Sequence, residues 1–504
     1  MSGDSFSKVG VVGLGTMGAG IAEVLARGGL PVVGVEIDEA ALERGRGHLE
    51  KSTGRAVKRG RLTADAQRGI LDRVELSTDF AALGECDLVI EAVPERLDLK
   101  RAVFAELDRV CRADAVLATN TSSLSVTDIA VATGRPTKIV GVHFFNPAPV
   151  MKLVEVIGTV LTEDGAVDRV AALVKGLGKT PVVIGDRAGF VANRLLFGYL
   201  NQAAGMLESG HATRDDIDTA MTAGGGLPMG PFTLMDLIGL DTCLEVLEAI
   251  HAETRDRRHA PAPVLRELVT AGLLGRKTGR GFYDHAAPAA EAAGRDAPAR
   301  PVVAVVGEGA VPAALGEVVR DGLGDADLII ALGEGSLADA AAAAKPGAVL
   351  ATTGPVVAAA VASGRPADVV GFHLPEADGA FVEIAASVVT GEGVADRAAE
   401  LAAGLGLTPV RCRDRAGHIV DALRFPYLND AAAMLDAGYA DADSIDAAMT
   451  LGCGYPTGPI ADLDRLGADR AVAALHALYA ETREPAYAPA PLLEEHRTAG
   501  RTLR

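Results

Sequence analysis

Apolar positions along the first part of the chain fall into two textures. Lys8 to Val12 is a short valine-rich run, and it opens into Gly13-Leu-Gly15-Thr16-Met17-Gly18-Ala-Gly20. Ile21, Val24 and Leu25 then recur at helical spacing. A strand, a glycine turn and a helix start are written in succession. A second strand is predicted from Pro31 to Val35, ending on Glu36, and strand-like runs return at Asp87-Leu-Val-Ile, Val116-Leu-Ala-Thr and Ile139-Val-Gly-Val. The pattern predicts alternating strands and helices rather than an all-β or all-α core.

The glycine turn has a chemical reading. The first glycine permits the tight turn, the second lets backbone approach a pyrophosphate, and the third allows close packing of helix on strand. Glu36, placed 18 residues after Gly18, is suited to hold the adenosine ribose hydroxyls and to repel a 2′-phosphate, so the expected cofactor is NAD rather than NADP.

Composition narrows the partners. The 504 residues carry a net charge of −19, and such a surface repels nucleic acid unless a basic face is segregated on it. Hydrophobic residues make up 49%, with 59 glycines and no Trp, so core volume must come from small aliphatics. No apolar run reaches the roughly 18 to 20 residues that span a bilayer, and the start MSGDSFSK does not read as a signal peptide. The five cysteines form no Cys-x-x-Cys pair, which leads us to expect a cytoplasmic protein with neither a disulfide framework nor a structural metal. One segment departs from the acidity: Arg44, Arg46, Lys51, Arg55, Lys58, Arg59 and Arg61 face only Glu50. It reads either as a solvated helical surface or as a local anion site for a polyphosphate substrate.

Chemistry-bearing residues lie further on. His143 ends a predicted strand, and Glu155 follows 12 residues later in the next one. A carboxylate on one ring nitrogen fixes the tautomer and leaves the other nitrogen free to take a proton, so the pair reads as general base and orienter. Taken in order, Asn120-Thr-Ser122-Ser, His143-Phe-Phe-Asn146-Pro, Lys152-Leu-Val-Glu155, Gly189-Phe-Val-Ala-Asn193-Arg and Lys277-Thr-Gly-Arg-Gly-Phe-Tyr283 resemble the L-3-hydroxyacyl-CoA dehydrogenase family from about Lys8 to Tyr283. The resemblance implies a Rossmann-type doubly wound sheet followed by an all-α domain, and oxidation of a 3-hydroxyacyl-CoA by NAD. It also implies that Ser122 and Asn193 hydrogen-bond the reacting part of the substrate. Glu95, Lys100, Asn146 and Lys277 would contact the nicotinamide half of NAD, and Ser52 with Lys58 or Arg59 would contact coenzyme A.

The remaining chain repeats the first part incompletely. Val303-Ala-Val-Val-Gly307 parallels the opening strand, with Pro312 where Gly18 stands, and Asp327-Leu-Ile-Ile follows almost at once. The counterpart of about Glu36 to Leu83 is missing, and with it the ribose acid and the basic segment. His373 and Glu383 match His143 and Glu155, but Asp421 stands where Asn193 does. The retained pair is therefore expected to be a relic, since a base without a cofactor cannot run hydride transfer.

Five regions are expected: 1–187 (NAD-binding), 188–285 (helical), 286–300 (linker), 301–415 (truncated Rossmann-like) and 416–504 (second helical). The two helical parts are expected to pack on each other in imitation of a dimer contact, with further oligomerisation open. Relatives with a duplicated second half resemble enzymes of phenylacetate or fatty-acid catabolism, which leaves butyryl and ω-carboxylated adipyl substrates both open. Arg194 is one residue suited to a terminal carboxylate. Two other readings remain: a dehydrogenase of a free β-hydroxy acid, and a catalytically silent NAD-binding scaffold.

Overall fold

The computed structural model describes residues 5–286, 300–308, 311–319, 322–333, 337–376 and 379–504. The linker expected at 286–300 lies almost wholly outside the described residues, as does Gly309. The first sheet has eight strands: β1 (Val9–Val12), β2 (Val32–Val35), β3 (Val74–Ser77), β4 (Leu88–Glu91), β5 (Val116–Thr119), β6 (Ile139–Phe144), β7 (Leu153–Gly158) and β8 (Thr180–Gly185). Their order is β3-β2-β1-β4-β5-β6-β7-β8. All neighbours run parallel except β6 and β7. Strands β1, β2, β4 and β5 are buried at every position, as expected for parallel strands covered on both faces.

The second sheet, of six strands, repeats this order with the left edge removed. It contains β9 (Val303–Val306), β10 (Leu328–Ala331), β11 (Val349–Thr352), β12 (Val369–His373), β13 (Phe381–Ala386) and β14 (Thr408–Arg413), paired consecutively. Strand β9 takes the place of β1, and among the described residues nothing in this sheet corresponds to β2 or β3. The deletion read from the sequence is thus the loss of two edge strands and their crossover helices. Val319 partly covers the exposed edge, exchanging backbone hydrogen bonds with Val303 and Val305.

Helices follow each sheet, and the two sets pack together. A single hydrophobic core joins Tyr199, Phe232 and Leu247 of the first set to Phe425, Leu428 and Leu475 of the second. The centre of this contact is the helix Ala192–Glu208 against the helix Val420–Asp436. Polar contacts flank it. Gln202 Nε2 donates to the carbonyl of Ala422 (2.7 Å) and to the Tyr487 hydroxyl (3.1 Å), and Arg258 pairs with Asp430. No helix among the described residues is long and apolar enough to cross a membrane.

Candidate active site

The glycine turn forms an anion cradle. Gly13 has φ of +85°, a conformation that disfavours any side chain. A Cβ on Gly18 would collide with the carbonyl oxygen of Gly13, whereas one on Gly15 would meet nothing within 4 Å. Helix α1 (Thr16–Arg27) starts here without a side-chain cap, so its positive dipole end is open to a ligand. A cavity of about 700 Å³ is lined by this turn, including Thr16 and Met17, and by Glu36. The Glu36 carboxylate accepts from the backbone N–H of Leu14 (2.6 Å) and Ile37 (3.1 Å), which fixes an acid at the cavity wall. Open backbone donors beside one anchored carboxylate fit the pyrophosphate and adenosine ribose of NAD.

The basic segment lies on helix α2 (Glu39–Lys58) and the turn after it. Arg44, Arg46, Lys51, Arg55, Lys58, Arg59 and Arg61 are exposed, and among the described residues only Arg46 has an ion-pair partner, Glu43. Arg44 also lines the cofactor cavity. Ser52 is half-buried on the same helix.

The His143–Glu155 pair is set by strand register. His143 on β6 stands directly opposite Glu155 on antiparallel β7. Its Nδ1 lies 2.7 Å from Glu155 Oε2, with both residues buried. Glu155 Oε1 accepts from the N–H groups of Val191 and Ala192, each at 3.1 Å. One carboxylate therefore orients the imidazole and anchors the start of the helix bearing Asn193. From there Asn193 Nδ2 reaches the Ser122 carbonyl at 3.4 Å. The rings of Phe145 and Phe190 flank His143 at 4.5 and 5.7 Å between centroids.

Glu95 shapes the serine turn. Its Oε1 accepts from Thr121 Oγ1 (2.6 Å), Ser122 N (2.8 Å) and Ser123 N (3.1 Å). Burial alone would raise the Glu95 carboxyl, but Lys100 and these donors outweigh it and hold it below the ordinary range. Lys100 is fully buried, with its Nζ 2.8 Å from Glu91 and 3.3 Å from Glu95. Asn146 is exposed just past β6. The structure does not bring Lys277 into this group, because its ammonium ion-pairs with Asp241 in the helical part. Sequence reasoning passed over Glu91, Thr121 and Phe145. Glu91 carried a visible signal, a charge closing an otherwise apolar buried strand.

Comparison with known proteins follows this geometry. Residues 8–187 match the model of the 3-hydroxyacyl-CoA dehydrogenase NAD binding domain. Residues 189–285 and again 417–504 match that of the 3-hydroxyacyl-CoA dehydrogenase C-terminal domain. The chain belongs to the 3-hydroxyacyl-CoA dehydrogenase family. It is an NAD-dependent oxidoreductase of that family. The chain is 36% identical to 3-hydroxyadipyl-CoA dehydrogenase of Escherichia coli K12, over 97% of this chain and 96% of that one. It is 45% identical to 3-hydroxybutyryl-CoA dehydrogenase of Mycobacterium tuberculosis, covering 56% of this chain and 99% of that one. Among solved structures, 3-hydroxybutyryl-CoA dehydrogenase of Escherichia coli K12 superposes with a TM-score of 0.81 at 34% identity, over 98% of this chain and 99% of that one.

The dehydrogenase keeps a second dyad that is built differently. His373 Nδ1 lies 2.5 Å from Glu383 Oε2, but His373 Nε2 also lies 3.6 Å from Asp421 Oδ2. Burial opposes its charge, yet Glu383 and then Asp421 outweigh burial and raise its pKa. With a carboxylate beside each ring nitrogen, His373 has neither nitrogen left free for a substrate hydroxyl. His418 stacks on His373 at 4.5 Å and 8°. Although His373, Glu383 and His418 bring ligand-type atoms within 4.8 Å of one another, stacked rings direct their in-plane lone pairs side by side, away from a shared ion. The Glu383 carboxylate is also occupied by His373, Ile419 N and Val420 N.

This cluster predicts a pH response. Burial, then the neighbouring His373, push His418 down to about 4. A depressed histidine contributes stability that is present above its unfolded pKa of about 6.5 and lost as pH falls toward 4. His373, raised, contributes stability that is present below about 6.5 and lost as pH climbs through its folded value. His418→Phe, the residue type of Phe190 in the first copy, is therefore expected to gain on the order of 1–2 kcal/mol relative to the parent at pH 5 and almost nothing at pH 7.5. Denaturant titrations at the two pH values check this.

Proposed function

We propose that the chain oxidises the 3-hydroxyl of an L-3-hydroxyacyl-CoA to the 3-oxoacyl-CoA, reversibly, with His143 as general base and Glu155 as its orienter. The observation that carries this reading is the shared carboxylate of Glu155. It holds His143 Nδ1, leaving Nε2 as the nitrogen for the hydroxyl proton, and it anchors the helix start that brings Asn193 to Ser122. Asn193 and Ser122 would hold the hydroxyl and the thioester carbonyl. Bound NAD supplies the acceptor for the hydride from C3. Gly13, Gly15, Thr16, Met17, Gly18 and Glu36 would hold its adenosine and pyrophosphate, and Glu95, Lys100, Asn146 and Lys277 would act on its nicotinamide half. In the present geometry Lys100 acts through Glu95, and Lys277 would have to exchange its partner Asp241. The exposed cations after Arg46, with Lys58 and Arg59 the residues of choice beside Ser52, would take the phosphates of coenzyme A.

The similarity to a 3-hydroxyadipyl-CoA dehydrogenase along nearly the whole chain favours fatty-acid or phenylacetate-type catabolism, and the five free cysteines suit a reducing cytoplasm. The reading is tested by following NADH absorbance with short, long and dicarboxylic 3-hydroxyacyl-CoAs beside the free hydroxy acids. Thioester-dependent NADH formation is expected. Turnover of the free acids alone would select the β-hydroxyacid reading, and binding of NAD with no turnover would select a scaffold.

The two helical parts are proposed to imitate a dimer contact within one chain. A fragment ending at Ala286 uncovers the face of Ala192–Glu208, so it is expected to self-associate or precipitate. Light scattering that shows a soluble, monomeric and fully active fragment would count against this.

A further inference from the structure

We infer that the second helical part supplies a wall of the first catalytic site: the turn Ala448–Gly452 holds Phe145 against His143, with Gly452 as a positioning residue. The inference rests on the reading of His143 as the base.

The turn, a short stretch of π-helix, arrives from the far side of the pseudo-dimer contact and meets the sheet at the catalytic pair. A Cβ on Gly452 would lie 2.7 Å from Leu153 Cδ2 and 3.3 and 3.4 Å from Cε1 and Cζ of Phe145. Leu153 shares a face of β7 with Glu155, two residues on, and Phe145, just past the end of β6, has its ring 4.5 Å from that of His143. Only a glycine lets the turn come this close without moving one of the two side chains. Its neighbour Cys453 is also near the pair: burial first, then the Glu155 carboxylate, push its thiol up to about 12. A second anchor from the same helical part is Tyr439, whose hydroxyl donates to the Gly185 carbonyl at 3.1 Å. Gly185 precedes Asp186, which caps the residues Ser125 to Thr127 after the serine turn.

The arrangement is reciprocal. The turn Ala220–Gly224 of the first helical part covers the second dyad, and a Cβ on Gly224 would run into the Phe381 ring and stand 3.0 Å from Val420 Cγ2. Each helical part thus closes the other sheet's site. The consequences are unequal, because His373 Nε2 faces a second carboxylate, Asp421, at 3.6 Å, where the first copy has Asn193 in the matching place. In the first site one hydrogen bond and two flanking rings define the imidazole, so a displacement of Phe145 by a few tenths of an ångström reaches the reacting nitrogen.

The test uses the full chain. Gly452→Ala is expected to lower kcat about tenfold while leaving KM for NAD unchanged. Adding Leu153→Val, which removes the methyl that the new Cβ would strike, is expected to return kcat to within about twofold. Gly224→Ala, at the mirrored place, is expected to leave kcat within about twofold. In histidine-labelled protein the His143 imidazole ¹⁵N shifts should move in Gly452→Ala and not in Gly224→Ala. Should Gly452→Ala fold poorly, the volume-conserving Leu153→Val/Gly452→Ala pair and the NMR comparison carry the test. Parental kcat and unmoved His143 signals in Gly452→Ala would overturn the inference, and so would equal losses from both glycine variants. If the parent itself makes no NADH from any thioester, the functional reading fails instead, while the shifts still decide whether the turn positions His143.

Discussion

His143→Ala is expected to lower kcat by a factor on the order of 10²–10⁴, the range that a positioned general base contributes, with NAD binding left near its parental value. The separation follows from geometry. The cofactor cradle is built from β1, α1 and the end of β2, whereas His143 sits on β6, beyond β4 and β5 in the sheet. The effect should therefore appear in turnover and not in a titration of NAD by fluorescence. Glu155→Gln makes a useful companion, because an amide still accepts from Val191 and Ala192 but loses the charge beside the imidazole. It should retain more stability than activity. Near-parental turnover in His143→Ala would sink the assignment of the base.

Lys100→Met is expected to be the most damaging single change to stability, at about 3–5 kcal/mol, since it strands buried carboxylates without their cation. Glu91 is fully buried and keeps only Val93 N and Thr119 Oγ1 as donors, and Glu95 loses the cation that holds its pKa down. The serine turn hung on Glu95 should loosen as well, raising KM for substrate. The discriminating variant is Lys100→Met with Glu91→Gln, which removes one stranded charge and should recover part of the loss. Thermal melts and denaturant curves of both variants make the comparison. Equal destabilisation by the two would mean that the packing of the lysine stem, not charge pairing, dominates.

Much of this architecture was legible in the sequence, for identifiable reasons. The glycine turn and Glu36 are local features, separated by a single helix, and a strand that ends on an acid advertises itself. The pairing of His143 with Glu155 was legible because two adjacent antiparallel strands place these residues, 12 positions apart, opposite each other. The missing β2 and β3 of the second copy were legible as a gap between two recognisable strands. Other features were not legible. The family resemblance implied that Lys100 contacts the cofactor, but its burial between Glu91 and Glu95 depends on the fold and has no local sequence signal. Lys277 belongs to a motif far along the chain, and spacing says nothing about its pairing with Asp241. The approach of Gly452 to Phe145 joins residues some three hundred positions apart, and no local pattern announces it.

The contact between the two helical parts has a consequence for how the molecule responds to concentration. A homodimer dissociates on dilution and must use the same surface twice, so any ion pair across its axis occurs in two copies. Here the two faces are on one chain and have diverged. Arg258 pairs with Asp430, while the mirrored places hold Ala486 and Gln202, and Gln202 bonds Tyr487 where the other side has His259. The covalent link makes the closing wall of the catalytic site a matter of effective concentration, independent of how much protein is present. Specific activity should stay level down to nanomolar enzyme, where a dissociating pair of half-length chains would fall away.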